Sequence, residues 1–115
     1  MKSGTNFEQG EILLVPFPFT NLTNIKQRPA LVLSTDDYNL KKEDIIICGM
    51  TSQLKETDCS ITVTNADLEE GNLPKTSLIK VDKLFQIEKS QIRKSLGKVN
   101  KRTFQQVREE FYKLI

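Results

Sequence analysis

The chain has 115 residues, of which 37% are hydrophobic and 28% charged, a length and composition typical of one globular domain spanning residues 1–115. No apolar run approaches the roughly 20 residues needed to cross a bilayer, and Met1 to Gly10 lack the apolar segment of a signal peptide. We therefore expect a cytoplasmic protein that makes no use of a membrane.

The absence of histidine excludes several kinds of catalysis. The sequence has no histidine and only two cysteines, Cys48 and Cys59. Ser-His-Asp and Cys-His catalysis, two-histidine acid–base pairs and conventional zinc sites are therefore excluded. We expect no metal and no cofactor. Cys48 should be a small buried residue and Cys59 an exposed thiol in a reduced protein.

The net charge of +2 conceals two halves of opposite charge. Residues 1–71 carry 6 Lys or Arg against 11 Asp or Glu, whereas residues 72–115 carry 11 against 4. The cationic half is either a solvated lysine-rich surface or an electrostatic footprint for a polyanion such as nucleic acid. Charge alone does not establish the second interpretation. Four lysines are candidates for a groove that binds such a backbone: Lys75, Lys80, Lys83 and Lys89.

Short strands dominate the predicted secondary structure. Six segments have the hydrophobic pattern of strands: Glu11–Val15, Ala30–Ser34, Ile45–Met50, Ser60–Thr64, Ser77–Val81 and Leu84–Ile87. We expect Pro16 and Pro18 to end the first of them, ahead of a polar surface loop over 20–27. The third is the most β-branched and should be central in the sheet. A turn is expected at 70–72.

Three helical segments complete the prediction. Thr35 should cap a turn or a single helical turn, and Ser90–Leu96 predicts a short helix that ends at a left-handed Gly97. A terminal helix should follow Asn100. Four of its apolar residues recur at helical spacing and should pack on the sheet or on a partner: Phe104, Val107, Phe111 and Leu114. The whole predicts a mainly β domain, a small bent sheet or barrel with a C-terminal helix.

Two polar sites and one aromatic pair are candidates for chemistry. Arg28 precedes Pro29, which should hold its backbone extended, so that its guanidinium could bind a phosphate; a surface ion pair is the simpler explanation. Thr51, Ser52 and Gln53 follow the central strand and could bind phosphate oxygens or base edges, or form only a turn. One ring of Phe17 and Phe19 could stack on an unpaired base, while at least one should belong to the core.

Several motifs together resemble a known family. Gly10–Leu22, followed by Gln27–Ser34, resembles the N-terminal signature of the MazF/PemK-like toxins. Met50–Gln53 is similar to that family's second motif and Leu73–Lys80 to its third. Ile92–Val99 is similar to a short helix that precedes the terminal one. The likeness spans nearly the whole chain in order.

This resemblance implies a fold, an activity and partners. It implies an SH3-like barrel of the CcdB/PemK type, with six to seven short strands, that acts as a homodimer. The implied activity is sequence-selective, metal-independent cleavage of single-stranded RNA, in which a 2′-hydroxyl attacks its own 3′-phosphate and leaves a 2′,3′-cyclic phosphate and a 5′-hydroxyl. The implied setting is a type II toxin–antitoxin pair, in which a separate antitoxin covers the RNA groove.

The resemblance also assigns site residues. The family's catalytic arginine and threonine fall on Arg28 and Thr51. Its RNA-binding positions correspond to eight further residues: Phe19, Thr20, Asn21, Gln27, Ser52, Gln53, Ser77 and Lys83. Where many members carry a glutamine and then an arginine, this chain carries Lys83 and Phe85.

Two other functions are compatible with the same fold. One is a CcdB-like toxin that poisons DNA gyrase without catalysis, and the other is an SH3-like binding module without activity. The Arg28-Pro29 pair and the polar segment Thr51–Gln53 favour the ribonuclease. The departures at Lys83 and Phe85 keep the binding module open.

Overall fold

Seven antiparallel strands form one curled sheet, accompanied by two helices. The computed structural model describes residues 6–18, 25–55 and 58–115. The strands are β1 (Glu11–Pro18), β2 (Ile25–Val32), β3 (Asp44–Thr51), β4 (Ser60–Val63), β5 (Leu68–Gly71), β6 (Ser77–Glu88) and β7 (Lys94–Val99). The helices are α1 (Asp36–Lys41) and α2 (Lys101–Tyr112). The sheet order is β4-β6-β3-β2-β1-β7-β5. No helix of the described ranges is long and apolar enough to cross a membrane.

Apolar side chains are buried on both faces of the sheet. Successive side chains of a strand point to opposite faces, so Ile12 and Leu13 enter different clusters. One cluster includes Val107 of α2, and the other is flanked by Phe7, Phe17, Phe85 and Ile92. This two-sided burial explains why the apolar runs of β2 and β3 show no alternation.

The main features of the sequence-based prediction are confirmed. The domain is mainly β with a C-terminal helix, and β3 lies inside the sheet between β6 and β2. The Thr35 hydroxyl accepts a hydrogen bond from the Tyr38 N–H (3.2 Å) and begins α1. The Asn100 side chain accepts one from the Thr103 N–H (2.8 Å) and begins α2. Both caps satisfy backbone donors that a helix leaves unpaired.

The expectation that Pro16 and Pro18 end the first strand is wrong. Strand β1 continues through both and pairs with β2 as far as Pro18↔Ile25. Its other neighbour, β7, pairs only with Glu11 to Leu14, so the outer edge of β1 needs no further N–H donors. Residues 25–27, predicted as loop, accordingly belong to β2.

The predicted helix over 90–96 and the predicted turn at 70–72 are also wrong. Only a 3-10 turn, Lys89–Gln91, forms there, and β7 then inserts between β1 and β5. Strand β5 extends to Gly71, which pairs with Gly97. Gly97 is not left-handed; the left-handed glycines in the described residues are Gly10 and Gly71. Pairing with strands distant in the sequence outweighs the local preference here.

The two strands predicted over Ser77–Val81 and Leu84–Ile87 form one. Strand β6 runs unbroken for 12 residues and pairs with β3, with an irregularity opposite Cys48 and Gly49. The residues between the two predicted strands lie at this bulge. The bulge interrupts the apolar alternation, and this is why the sequence pattern indicated two short strands.

The predicted burial of the terminal helix is only partly confirmed. Val107 is fully buried, whereas Phe104 and Phe111 are half-buried at the edge of the core. Leu114 lies beyond the end of α2, is 41% exposed and packs in neither apolar cluster, so its packing on a partner stays a prediction. A Phe111→Ala change therefore removes less buried surface than a core phenylalanine would.

We predict that Gly71→Ala is more destabilising than Gly10→Ala. Both glycines have positive φ, a conformation that costs other residues about 1–2 kcal/mol. A Cβ at Gly71 would also lie 2.2 Å from the Cα of Gly97, whereas one at Gly10 meets nothing closer than 3.4 Å. The clash should add about 1–3 kcal/mol to the loss of unfolding free energy at Gly71. Equal losses in urea denaturation would contradict this account of β5 packing.

The two cysteines should react very differently with thiol reagents. Burial raises the pKa of the Cys48 thiol to about 12. The pKa of Cys59 is raised as well, by desolvation and then by Asp82 and other carboxylates, but Cys59 is only half-buried. At pH 8 we expect a disulfide reagent to modify one thiol per folded chain, and two after denaturation. Two fast-reacting thiols in the native protein would contradict the burial of Cys48.

Candidate functional site

The pairing of β2 with β3 brings Arg28 and Thr51 to the same end of the sheet. The last paired residues are Ala30 and Gly49, and the same register continued by two residues places Arg28 opposite Thr51. Each is also fixed from its outer side, by Val15 for Arg28 and by Leu78 for Thr51. Residues opposite each other in neighbouring strands project from the same face. The two predicted catalytic residues therefore lie at the same end of the sheet, although they are 23 positions apart in the sequence, and both line one groove.

An open groove of about 290 Å³ lies where these two strands part. Pro29 has no N–H with which to continue the ladder beyond Ala30. Three segments line the groove, namely the start of β2, the end of β3 and the connection from β5 to β6. The lining residues are Lys26, Gln27, Arg28, Pro29, Met50, Thr51, Ser52, Leu73, Pro74, Lys75 and Ser77.

Arg28 is held within a strand. The sequence placed it at the end of a loop, but it lies inside β2, with its backbone paired to β1. The residue is half-buried, and its Nε atom is shielded from solvent. An arginine anchored in this way loses little further conformational freedom when its planar guanidinium engages an oxyanion.

The Thr51 hydroxyl organises the turn that follows β3. Its Oγ1 accepts a hydrogen bond from the Gln53 N–H at 3.2 Å. A hydroxyl has one donor and two acceptor positions, so this bond orients the oxygen and leaves its proton to donate elsewhere. Ser52 and Gln53 extend from this turn and are exposed. The segment is thus both a turn and a set of polar groups at the edge of the groove.

Ser77 is buried at the inner wall of the groove, with 2% of its surface exposed. Its hydroxyl donates to the Lys75 carbonyl at 3.0 Å. Leu73, also 2% exposed, packs in the core with Met50. The β5–β6 connection is therefore anchored on both sides of Lys75, whose own side chain is exposed.

The charge of the groove is one-sided. In the stretches that the structure describes, its ionisable lining residues are Lys26, Arg28 and Lys75, and no carboxylate lines it. Three cations converging on one opening attract a polyanion such as a nucleic-acid backbone. Proline and methionine side chains give the same groove apolar surface.

The predicted RNA-binding residues divide into three groups. Gln27, Ser52 and Ser77 line the groove with the predicted catalytic pair, and Gln53 follows directly in the turn. Lys83 is exposed at the β6 bulge and does not line the groove. Phe19, Thr20 and Asn21 lie outside the described residues.

An aromatic pair lies near the groove on the face that Arg28 shares with Ala30. Phe17 contacts Phe85 edge-to-face at a centroid distance of 4.9 Å, and both are half-buried. A Cβ at Gly49 would meet the Phe17 ring at 3.2 Å, so glycine allows this close packing. The expectation that at least one of Phe17 and Phe19 belongs to the core is supported by Phe17.

Sequence reasoning missed part of the lining. The polar pattern of residues 20–27 predicts a surface loop for Lys26, and the apolar residues Pro29, Met50 and Leu73 carry no group that indicates a site. Lys75 was named among four lysines, but nothing in the sequence separated it from the other three. Lys26 reaches the groove because β2 begins at Ile25. Strand β2 begins that early because β1 continues through its prolines and pairs with it as far as Pro18.

Comparison with known proteins agrees with this geometry. A family model described as PemK-like, MazF-like toxin of type II toxin-antitoxin system matches residues 8–115. The fold is similar to MazF from Deinococcus radiodurans, with 22% identity, a TM-score of 0.74 and coverage of 95% of this chain and 96% of that chain. It is also similar to an endoribonuclease in complex with its cognate antitoxin from Mycobacterial species, with 15% identity, a TM-score of 0.75 and coverage of 93% and 92%.

A third similar structure is the Mycobacterium tuberculosis toxin MazF-mt6, with 14% identity, a TM-score of 0.72 and coverage of 90% of this chain and 93% of that chain. No curated protein sequence matches the chain significantly. At these identities the structural likeness establishes the fold, while the family match covers nearly the whole sequence. The chain therefore belongs to the PemK-like, MazF-like toxins of type II toxin–antitoxin systems.

Proposed function

We propose that this toxin is a metal-independent endoribonuclease that cuts single-stranded RNA at selected sequences. The observation that carries the proposal is that Arg28 and Thr51 line the same cationic groove. The fold supports it, since similar structures are described as endoribonucleases. The 2′-hydroxyl gives its proton to solvent and attacks the adjacent phosphorus, the bond from phosphorus to the 5′-oxygen breaks, and that oxygen takes a proton from solvent, so that the products are a 2′,3′-cyclic phosphate and a 5′-hydroxyl.

Arg28 stabilises the negative charge on the reacting phosphate. Its guanidinium donates to the non-bridging oxygens, on which charge accumulates as the fifth bond to phosphorus forms. Because the β2 ladder holds the residue in place before substrate arrives, little reorganisation accompanies the reaction. The cationic surroundings also favour departure of the 5′-oxygen with its negative charge.

Thr51 orients the reacting groups. Its oxygen is fixed by the Gln53 N–H; its hydroxyl donates to a phosphate oxygen, or its second acceptor position accepts a hydrogen bond from the attacking hydroxyl. Ser52, Gln53 and Gln27 stand at the groove edge, where side-chain amides and hydroxyls can contact the edges of unpaired bases. Unpaired bases can turn outward toward the protein only in single-stranded RNA, and single-stranded RNA is therefore the proposed substrate.

Two protein partners follow from the family. A cognate antitoxin inhibits the toxin by covering the cationic groove, and the active form is a homodimer. A gyrase poison of the CcdB kind is not favoured, because the matching family is the PemK-like, MazF-like one and the groove gathers the groups that phosphodiester cleavage needs.

Replacing Arg28 or Thr51 should abolish most of the activity. We expect Arg28→Ala and Thr51→Ala each to lower the cleavage rate of a long single-stranded RNA in excess chelator by about 10²–10³, since each removes a donor to the developing charge. Arg28→Lys should recover little, because an ammonium cannot form the two-point contact. Thr51→Ser, which retains the hydroxyl, should recover most of the rate.

The matched control for these variants is Arg102→Ala, which removes an equal charge from the exposed face of α2. It should cut as the unmodified protein does. Thermal melting should show all variants folded. Cleavage by the Arg28 and Thr51 variants at the rate of the unmodified protein would contradict the proposal. Inhibition of gyrase supercoiling by the unmodified protein, without RNA cleavage, would establish the CcdB-like gyrase poison instead.

A single 2′-deoxy substitution should distinguish this chemistry from hydrolysis by water. We expect the change at the nucleotide 5′ to a mapped cut to abolish that cut and leave the others, because the attacking hydroxyl is missing there. The measurement is gel mapping of end-labelled RNA with EDTA present. Continued cutting at the substituted site would contradict attack by the 2′-hydroxyl.

A further inference from the structure

The segment that joins β5 to β6 is held in place more firmly than a surface loop requires. The Leu73 N–H donates to Asn65 Oδ1 at 2.6 Å, and Asn65 Nδ2 donates back to the Leu73 carbonyl at 3.1 Å. The Leu73 side chain is buried, and Pro74 fixes one of its own backbone angles. On the other side, the buried Ser77 hydroxyl binds the Lys75 carbonyl.

Asn65 is itself fixed by a capped turn. It begins the 3-10 turn Asn65–Asp67, in which the Thr64 hydroxyl accepts from the Ala66 N–H at 3.2 Å. The Asp67 carboxylate accepts from the Thr64 N–H at 2.8 Å. The amide that holds Leu73 therefore has a defined position, and the path of the chain at Lys75 is set from both directions.

Lys75 and Arg28 flank Thr51 on opposite sides. The sheet order places β3 between β2 and β6, and Thr51 pairs with Leu78, one residue after Ser77. Arg28 thus lies on the β2 side of Thr51 and Lys75 on the β6 side.

We propose that Lys75 is a second phosphate-binding residue, and that Asn65 is the positioning residue that fixes it. Lys75 binds a backbone phosphate adjacent to the one that Arg28 binds. The RNA strand then crosses the start of β2, the end of β3 and the start of β6. This inference rests on the proposed RNA substrate. It separates Lys75 from the other candidate lysines, none of which lines the groove in the described ranges.

The test measures binding separately from cleavage. A single-stranded RNA with 2′-O-methyl groups throughout cannot supply the attacking hydroxyl, so its dissociation constant is measurable by fluorescence anisotropy between about 50 and 200 mM salt. Lys75→Ala should weaken binding about three- to tenfold at the low end and reduce the slope of log affinity against log salt by about 0.7, the value for one phosphate of a single strand. Lys75→Arg should keep the slope.

A lysine elsewhere serves as the matched control. Lys42→Ala removes the same charge from the exposed residue after α1 and should leave the slope unchanged. A slope unchanged by Lys75→Ala, or changed equally by Lys42→Ala, would overturn the assignment of Lys75.

The positioning role of Asn65 is tested by combination. Asn65→Ala should weaken RNA binding in the unmodified protein and have no further effect in the Lys75→Ala background. Asn65→Asp, which keeps the acceptor for the Leu73 N–H, should be milder. An equal loss in both backgrounds would overturn the positioning role, and melting curves identify a variant that is merely unfolded.

The same assay distinguishes failure of the inference from failure of the proposed function. RNA cleavage by the unmodified protein with an unchanged salt slope in Lys75→Ala refutes the inference alone. Binding of the methylated RNA without cleavage of ordinary RNA refutes the nuclease, and the effect of Lys75→Ala on the salt slope still decides the role of Lys75. If the unmodified protein neither cleaves ordinary RNA nor binds the methylated RNA, both are overturned.

Discussion

The register between β2 and β3 is the constraint on which the rest of the site depends. Because Ala30 pairs with Gly49, Arg28 and Thr51 come to the same level of the sheet. A shift of one residue would turn one of the two side chains to the other face and disrupt the packing of both apolar clusters. The apolar clusters on both faces penalise such a shift, so the energy that stabilises the core also holds the site together.

The sequence was sufficient where local chemistry decides the structure. Thr35 and Asn100 begin helices because their side chains cap backbone N–H groups, and β3 is buried because its residues are apolar and β-branched. It was insufficient where distant partners decide. Strand β7 has a weak pattern of its own and exists because β1 and β5 pair with it on either side. The prolines of β1 are tolerated because the pairing of β1 with β7 stops at Leu14, before Pro16. No local sequence pattern shows where this pairing stops.

The site follows the same division. The motif residues Arg28 and Thr51 could be named from the sequence, since their neighbours match a recognisable pattern. The third wall of the groove could not be placed, because its position comes from the pairing of β6 with β3 and from the Asn65 amide that binds the Leu73 backbone. Lys75 looks like any other lysine until these contacts define where it lies. Lys83, a lysine that the sequence does not distinguish from Lys75, lies at the β6 bulge and does not line the groove.

The two kinds of residue around the groove differ in how costly they are to change. Arg28 and Thr51 belong to strands and are each paired with one neighbouring strand, whereas Ser52 and Lys75 lie on connections between strands. Connections tolerate variation better than the elements they join. Under the proposed function, the contacts that select an RNA sequence can therefore vary on these connections while Arg28 and Thr51 stay in place, and an inhibitor that covers the groove must vary with them.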